Sequence, residues 1–402
     1  MNVPPPPPFH RELLTVGVTG TNGKTTTTTW IAAALRTLSR PVARATTVGF
    51  FLDDELVTLE QTYDGFLDGM RSAHERGGRH AAIELTSEAL ARGFARAWPC
   101  RVGVFTNLTH DHLEAHGSPE HYLASKAQLF VALGEGGRAV LNAADPVFDL
   151  LREVMPPHVE VTTYAVPTRG DTSAETDVVA SEVDVSWDGT KVSCEVRNAS
   201  LGLPASLRVK AIGEVYAENA LAALLGAVAA GVDPERAAEA IADAPAPPGR
   251  FEVIHREPYV VIDYAHSPDA LARTVATART LADRAGARLF TVFGAGGKRD
   301  KSKRPAMGGA ARASDVVVLT SDNPRDEDPG DIARMIAQGL DGHSEVRTEL
   351  DRRAAIALAI REANRADVVL VAGKGHEQAQ IVGQEARVFS DVEVAKDALA
   401  RR

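Results

Sequence analysis

Residues 13–27, LLTVGVTGTNGKTTT, place a short apolar run directly before a glycine-containing turn. The run from Leu13 to Val18 predicts a buried strand, and a helix is predicted from Thr25 to about Leu38. A turn in this position can hold a phosphate, because the N–H groups at the start of a helix face an anion. The alternative is a glycine turn before a helix with no ligand.

The side chains of this turn favour phosphate binding. Lys24 can neutralise the charge of the β- and γ-phosphates, and the Thr25 hydroxyl can ligate Mg²⁺. The strict phosphate-loop pattern fails, since Val18 stands where its first glycine would fall. The sequence therefore predicts ATP and Mg²⁺ as cofactors. The predicted nucleotide-binding residues in the turn are Gly20, Thr21, Asn22, Gly23, Lys24, Thr25 and Thr26.

Composition limits the class of protein. The chain has 402 residues, of which 44% are apolar and 24% charged, and these values are typical of a globular protein with two or three domains. A net charge of −10 argues against nucleic-acid binding. No apolar run approaches the roughly 18 residues of a membrane span. The five prolines at 4–8 are unlike a secretory signal, so a cytoplasmic protein is predicted.

Strand and helix patterns alternate along most of the chain, which predicts an α/β fold with parallel strands. Prolines and a glycine at 245–249 break both periodic structures and suggest a linker. We expect a proline-rich arm at 1–12, a first domain at 13–249 with a small β insertion at about 160–210, and a second domain at 250–402.

Several polar residues follow the predicted strands of the first domain, where α/β proteins place their ligands. Glu84 is a candidate Mg²⁺ ligand, although it could equally cap the next helix. His112 belongs to a cluster of histidines and carboxylates at 107–117 that could hold a second metal or shape a phosphate site. Taken alone, this cluster could be a solvated loop, and Lys126 an ordinary surface lysine.

The second domain has three polar segments that each follow a predicted strand, at 294–300, 322–325 and 373–377. An arginine fork beside acids and amides suits a zwitterionic amino acid, whose carboxylate takes a bidentate partner. The residues alone thus indicate an ATP-using enzyme with a second pocket for an amino acid.

Taken together and in this order, the motifs resemble the muramyl (Mur) ligases, and among them the tripeptide synthetases that add meso-diaminopimelate. The resemblance runs from about Val16 to the end of the chain. It rests on the segments 17–27, 105–117, 141–146, 248–250, 263–269, 293–297, 303–305, 322–325 and 373–377. It implies a central P-loop ATPase domain with a mixed or parallel sheet, followed by a C-terminal Rossmann-like α/β domain.

The resemblance also implies a reaction. ATP phosphorylates a substrate carboxylate, an amine attacks the acyl phosphate, and an amide forms. In this family pattern Thr25, Glu84, His112 and a carbamylated Lys126 serve the metal site. Asn219 contacts adenine, Asp263 contacts ribose, and Arg250 lies at the hinge and belongs to the nucleotide-binding set. The catalytic set is Lys24, His112, Lys126, Arg250 and Lys303. Asp322, Asn323 and Arg325 would belong to the amino-acid site. Arg325 would bind the distal carboxylate, and Gly373 and Glu377 the distal ammonium group.

Departures from the family pattern fall on the side of the carboxylate donor. We expect the N-terminal domain that binds UDP to be absent. The family's Thr-Thr-Pro loop is replaced at 60–64, its Ser-Ser-His reads Thr86-Ser87-Glu88, and its Phe-Asn reads Val215-Tyr216. These changes predict an amide ligase for a small carboxylate donor without UDP-MurNAc.

Three alternatives stay open. The first is a ligase of UDP-MurNAc-Ala-Glu and diaminopimelate that works with a separate UDP-binding or pathway partner protein. The second is a ligase of the folylpolyglutamate or cyanophycin type. The third is a nucleotide-binding module without catalysis.

Overall fold

The computed structural model describes residues 4–109, 118–167 and 175–402. The chain divides into two compact units. The first contains the residues up to 184 together with 189–210 and 215–245, and the second contains 185–188, 211–214 and 246–402. The long segment of the second unit thus begins inside the proline-rich stretch that suggested a linker.

The first unit is built on a mixed sheet. Within the described residues its strands are β1 (Leu14–Thr19), β2 (Val42–Thr46), β3 (Gly49–Leu52), β4 (Glu55–Val57), β5 (His80–Glu84), β6 (Val102–Phe105), β7 (Arg138–Asn142), β8 (Glu160–Ala165), β9 (Val178–Ser186), β10 (Gly189–Val196) and β11 (Ser206–Val209). Its helices are α1 (Lys24–Leu35), α2 (Tyr63–Glu75), α3 (Ser87–Ala91), α4 (Phe94–Ala97), α5 (Pro119–Val131), α6 (Phe148–Glu153), α7 (Val215–Ala229) and α8 (Pro234–Asp243).

The strand order of this sheet is β11-β10-β9-β8-β7-β6-β1-β5-β2-β3-β4. The strand β1 lies between β5 and β6 and is parallel to both. Antiparallel strands occupy the two edges, with β3 and β4 at one and β10 and β11 at the other. The segment of about 160–210, predicted as a small β insertion, therefore forms strands that continue the main sheet.

The second unit contains a six-stranded sheet, within the described residues, in the order β12-β13-β17-β14-β15-β16, and a separate hairpin of β18 and β19. Its strands are β12 (Glu252–Arg256), β13 (Tyr259–Asp263), β14 (Leu289–Phe293), β15 (Val316–Leu319), β16 (Val346–Thr348), β17 (Val368–Ala372), β18 (Ala379–Val382) and β19 (Glu385–Val388). Its helices are α9 (Pro268–Arg284), α10 (Lys303–Ala310), α11 (Pro329–Ala337), α12 (Arg352–Glu362) and α13 (Asp391–Ala400).

Local capping signals determine where several helices begin. Ser267 precedes α9, and its hydroxyl accepts the N–H of Ala270, while Pro268 occupies the first turn. Asp233 before α8 and Asp328 before α11 repeat this pattern of a capping oxygen followed by proline. The proline costs nothing there, because the first N–H groups of a helix have no partner inside the helix.

The predicted α/β fold is confirmed, with a mixed, largely parallel first sheet and a parallel sheet in the second unit that carries one antiparallel edge strand. Over the described residues, none of the helices combines the length and apolar character that crossing a membrane requires.

The core of the first unit depends on close packing of α5 against the sheet. Phe130 on α5 is fully buried, and its ring lies where a side chain at Gly103 on β6 would begin. We predict that Phe130→Ala lowers the free energy of unfolding by about 3–5 kcal/mol, because the ring is lost and a cavity remains. Urea unfolding followed by the fluorescence of the buried Trp30 and Trp98 measures this change.

The neighbouring Val131 is a matched control, since its side chain is 47% exposed on the same helix. Val131→Ala should change the free energy of unfolding by no more than about 0.5 kcal/mol. Equal losses in the two variants would contradict the packing described for α5.

Candidate functional site

The predicted phosphate loop joins β1 to α1. Gly23 is the N-cap of α1 with a φ of 82°, and a Cβ there would lie 2.1 Å from Oδ1 of Asn219. Glycine is required both by this backbone conformation and by this contact. A glycine offers no side chain to cap the helix, so the start of α1 is suited to an anionic ligand.

Residues at the end of β6 hold the loop in place. The N–H of Thr21 donates to the Asn107 carbonyl at 2.7 Å, and the N–H of Asn22 donates to Asn107 Oδ1 at 3.0 Å. The Thr106 hydroxyl donates to the Asn22 carbonyl at 2.7 Å. Asn107 is fully buried, so it fixes the loop from beneath, a role that the sequence analysis did not assign to it.

Two of the predicted magnesium ligands lie together. The Thr25 hydroxyl donates to Glu84 Oε2 at 2.8 Å, and the N–H of Thr47 donates to the same oxygen at 3.1 Å. Oxygen donors of this kind suit Mg²⁺. Lys24 is the first residue of α1, and its Nζ donates to the carbonyl of Thr21 in the phosphate loop at 2.7 Å.

His112, the other predicted metal ligand, lies outside the described residues. Among those described, no three His, Cys, Asp or Glu side chains cluster in a way that could hold a metal.

Lys126 is buried against the phosphate loop. Its side chain comes from α5, is 1% exposed as a residue, and donates from Nζ to the Gly20 carbonyl at 2.6 Å. The ammonium also lies 4.3 Å from the ring centroid of Tyr122. Lys126 is therefore not an ordinary surface lysine. A buried amine beside the phosphate loop fits a role in phosphate or metal chemistry.

Asn219, on α7, has a buried Oδ1 that accepts no hydrogen bond from the described residues. An orphaned acceptor is costly in a protein interior unless a ligand satisfies it. An amino group, such as that of adenine, has the required donor, which fits the predicted adenine contact. The buried Thr26 completes the predicted nucleotide-binding set in the first turn of α1.

In the second unit, the carboxyl ends of parallel strands bring the predicted amino-acid residues to one edge of the sheet. Asp322, Asn323 and Arg325 follow β15, while Gly373 and Glu377 follow β17. Parallel neighbours end on the same side, so the loops share this edge although β14 separates β15 from β17.

A buried lysine organises part of this edge. Lys374 is fully buried, and its Nζ donates to Asn323 Oδ1 at 3.0 Å and to Glu377 Oε2 at 2.9 Å. The Asn323 amide donates to the same Glu377 oxygen at 3.1 Å. Lys374 was not among the predicted site residues, although its place between Gly373 and Glu377 was a usable signal.

Arg325 has an unusual backbone conformation for an arginine, with a φ of 53°. Its N–H donates to the Ile381 carbonyl at 3.1 Å, and its carbonyl accepts the N–H of Gly383 at 2.8 Å. Positive φ costs energy in a residue with a side chain and is common at functional sites. The contacts with β18 and its turn hold the backbone of Arg325 in this conformation.

The glycine-rich loop after β14 packs on the segment that carries Arg325. A Cβ at Gly297 would lie 1.8 Å from the Pro324 carbonyl oxygen, and Arg325 Nη1 donates to the Gly297 carbonyl at 2.8 Å. Side-chain atoms of Arg299 and Arg325 both lie within 3.5 Å of a Cβ position at Gly296. The side chain of Arg299 therefore also begins at this edge, although Arg299 was not among the predicted site residues.

The predicted ribose and catalytic residues of this unit have partners of their own. Asp263 accepts the N–H of Phe251 at 2.7 Å and that of Ala265 at 2.8 Å, and its burial raises the pKa of the carboxyl. The guanidinium of Arg250 lies 4.4 Å from the ring centroid of Tyr264. Lys303 donates to the His266 carbonyl at 3.3 Å. The roles assigned to Asp263, Arg250 and Lys303 stay predictions.

The chain matches known families over most of its length. Residues 18–227 match the Mur ligase middle domain, and residues 249–375 match the glutamate ligase domain of Mur ligases. The chain belongs to the Mur ligase family. It is accordingly an ATP-dependent ligase that forms an amide bond between an acid and an amino acid.

Two similar proteins carry the same name. A UDP-N-acetylmuramoyl-L-alanyl-D-glutamate–2,6-diaminopimelate ligase of Synechocystis sp. is 38% identical over 98% of this chain and 77% of its own length. The ligase of the same name from Solibacter usitatus is 38% identical over 95% of this chain and 76% of its own.

Solved structures agree with the family. A structure of a ligase with that name has a TM-score of 0.68 and 32% identity, covering 97% of this chain and 78% of its own. A folylpolyglutamate synthase of Mycobacterium tuberculosis, at 19% identity and a TM-score of 0.67 over 90% of this chain and 89% of its own, shares the fold.

One departure from the Mur ligase pattern has a simple local explanation. Thr86 caps α3 by accepting the N–H of Ala89 at 3.2 Å, and Glu88 lies exposed in the first turn. A carboxylate there is stabilised by the helix dipole. Glu88 therefore presents a negative charge to solvent where the family pattern has a histidine.

An ion pair supports the glycine-rich loop from behind. The fully buried Arg304 donates to both oxygens of Glu327, at 3.0 and 3.1 Å, and also to the Gly296 carbonyl at 3.3 Å. Arg304, followed by the N–H of Lys298, lowers the pKa of Glu327 from its ordinary 4.5 to about 2.

This shift predicts how stability changes with pH. Folding lowers the pKa of Glu327. Its contribution to the free energy of unfolding is therefore fully present above pH 4.5 and is lost as the pH falls towards about 2. The difference in free energy of unfolding between the wild type and Glu327→Gln should therefore shrink from about pH 6 to about pH 3. Urea unfolding at several pH values measures it. An equal difference at both ends of the range would contradict the pairing with Arg304.

Proposed function

We propose that this chain joins the carboxylate of a UDP-MurNAc-L-Ala-D-Glu donor to an amine of meso-diaminopimelate. The observation that carries the proposal is the segment 322–325, in which Arg325 is held at the same sheet edge as Glu377. It is supported by relatives named for this reaction that align with 98% of the chain.

The acceptor residues suit a molecule with a distal carboxylate and a distal ammonium. We assign the distal carboxylate to Arg325 and the distal ammonium to Glu377 and the backbone of Gly373. Asp322 and Asn323 would complete the amino-acid pocket. Lysine carries the ammonium but lacks the carboxylate. A guanidinium buried against lysine would lose its partner, so the site should reject lysine strongly.

The first unit would bind the nucleotide. We assign the phosphates to the loop at 20–26, the magnesium to Thr25 and Glu84 with His112, and adenine to Asn219. ATP supplies the phosphoryl group that activates the donor carboxylate. Lys24 would hold the phosphates by charge, and Lys126, if carbamylated, would offer an anion to the metal instead of a cation.

The remodelled residues on the donor side support a second candidate, a small carboxylate donor without the UDP-sugar. Glu88 is exposed and negative where the family pattern has histidine, and a negative side chain opposes an anionic UDP group. The relatives favour the UDP-linked donor over this candidate.

Phosphate release with ATP, Mg²⁺ and meso-diaminopimelate tests the proposal. The donors compared are UDP-MurNAc-Ala-Glu, free Ala-γ-Glu and a panel of small carboxylates. Turnover with the UDP donor is the expected result. Turnover with small carboxylates alone would replace it with the second candidate, and phosphate release that needs neither donor nor acceptor would contradict both.

Lys126→Ala should reduce amide formation by at least about a hundredfold, because the metal site loses the group that a carbamate would provide. Formate or acetate should restore part of the rate, since a small carboxylate can occupy the space left by the side chain. The measured quantity is kcat with and without these anions. Full activity of Lys126→Ala would remove this lysine from the mechanism.

Arg325→Ala should reduce the preference for diaminopimelate over lysine by about a hundredfold or more, because the distal carboxylate loses its partner. The ratio of kcat/KM for the two amino acids measures this preference. Arg387→Ala is a control for loss of charge, since Arg387 lies exposed on β19. A wild-type enzyme without preference for diaminopimelate would show that the acceptor is misassigned.

A further inference from the structure

Beneath the proposed acceptor site lies an ion pair that is completely shielded from solvent. Arg352 is the first residue of α12, and Asp391 is the first residue of α13. Arg352 Nε donates to Asp391 Oδ1 at 2.8 Å, and Nη2 donates to Oδ2 at 2.7 Å. Both side chains have an exposed fraction of 0%.

The remaining contacts of Arg352 go to the two loops of the acceptor site. Its guanidinium donates to the Ser321 carbonyl at 3.4 Å and to the Ala372 carbonyl at 3.0 Å. Ser321 directly precedes Asp322, and Ala372 directly precedes Gly373. The strands β15 and β17 are not neighbours, because β14 lies between them. Sheet hydrogen bonds therefore do not join these two ends directly, whereas Arg352 does.

Stability alone does not account for this arrangement. Removing two charges from water costs several kcal/mol per ion, and apolar residues often replace such pairs without loss of stability. A fixed guanidinium can instead orient two backbone segments at once, since its donors lie in one rigid plane.

The charge of Arg352 also interacts electrostatically with the proposed acceptor residues. Burial alone lowers the pKa of Arg352, but Asp391 and, more weakly, Asp322 and Glu377 raise it overall. The guanidinium thus stays charged and is a cation facing the carboxylates of the acceptor loops.

We propose that Arg352, held by Asp391, is a positioning residue for acceptor recognition: it ties the loop of Asp322, Asn323 and Arg325 to the loop of Gly373 and Glu377. This inference rests on the proposed function for the identity of the acceptor. Arg352 is not itself a ligand of the amino acid, and it acts through the two backbone carbonyls that it holds.

Arg352→Lys tests the proposal, because a lysine keeps the charge but cannot donate to Asp391, Ser321 and Ala372 in one plane. Arg288→Lys is the matched control. Arg288 pairs with Asp367 at 3.0 Å. Arg288 directly precedes β14 and Asp367 directly precedes β17, so the pair lies at the opposite ends of the strands from the acceptor loops.

Two measurements are compared between these variants. Hydrogen exchange followed by mass spectrometry reports on residues 320–325 and 372–377, and steady-state kinetics report KM for diaminopimelate and for ATP. In Arg352→Lys we expect faster exchange in both segments and a KM for diaminopimelate raised by about tenfold, with KM for ATP within about twofold of the wild type. Arg288→Lys should leave both segments and the KM for diaminopimelate unchanged.

If Arg352→Lys does not fold, Arg352→Met/Asp391→Leu removes both charges and leaves no orphaned ion. Unchanged exchange in both segments of the variant that folds would overturn the positioning role, as would an equal effect in Arg288→Lys. A wild-type enzyme that does not accept diaminopimelate would contradict the proposed function, and hydrogen exchange alone would then decide the role of Arg352.

Discussion

The edge of the second unit that carries the proposed acceptor residues depends on one close contact between two backbones. The N–H of Gly297 donates to the Asn323 carbonyl at 2.9 Å, and the Pro324 carbonyl fills the space where a side chain at 297 would begin. Any other residue would push the two loops apart. Asn323 supplies one of the two carbonyls and Arg325 directly follows the other, so this contact fixes the backbone from which both side chains extend.

Buried cations then fix the side chains around that contact. Lys374 holds Asn323 and Glu377, and Arg304 holds Glu327 behind the glycine-rich loop. Each of these charges has lost its water and must keep its partners, since an unpaired ion in a protein interior is very unfavourable. An acid or amide held in this way keeps one orientation, which would favour selective recognition by the proposed acceptor site.

In the first unit, buried polar side chains likewise hold the backbone of the phosphate loop. Asn107 holds the N–H groups of Thr21 and Asn22, and the buried Lys126 holds the Gly20 carbonyl. The loop is therefore supported from below by β6 and α5, while the start of α1 keeps no capping side chain. Polar groups beneath the loop form hydrogen bonds with its backbone, so the N–H groups at the start of α1 remain available to an anion.

The sequence predicted the features of the fold that depend on neighbouring residues better than those that depend on contacts between distant segments. The β1 strand, the phosphate turn and α1 were predicted to within a few residues, because strand, glycine turn and helix each have a local signal. The strands after 160 were also found, but their place in the main sheet was not, since pairing between distant segments leaves no mark in the local pattern.

In the candidate site, too, the local motifs could be read from the sequence, whereas the contacts that support them could not. The sequence by itself determined which residue types stand at each strand end, from Lys24 and Glu84 to Asn323, Arg325 and Glu377, because these motifs are continuous in the chain. Only the tertiary structure decided what supports them. Lys126 became a buried neighbour of Gly20, and Arg352 became a further link between two strand ends. Both contacts join residues far apart in sequence, so they arise only when each unit folds.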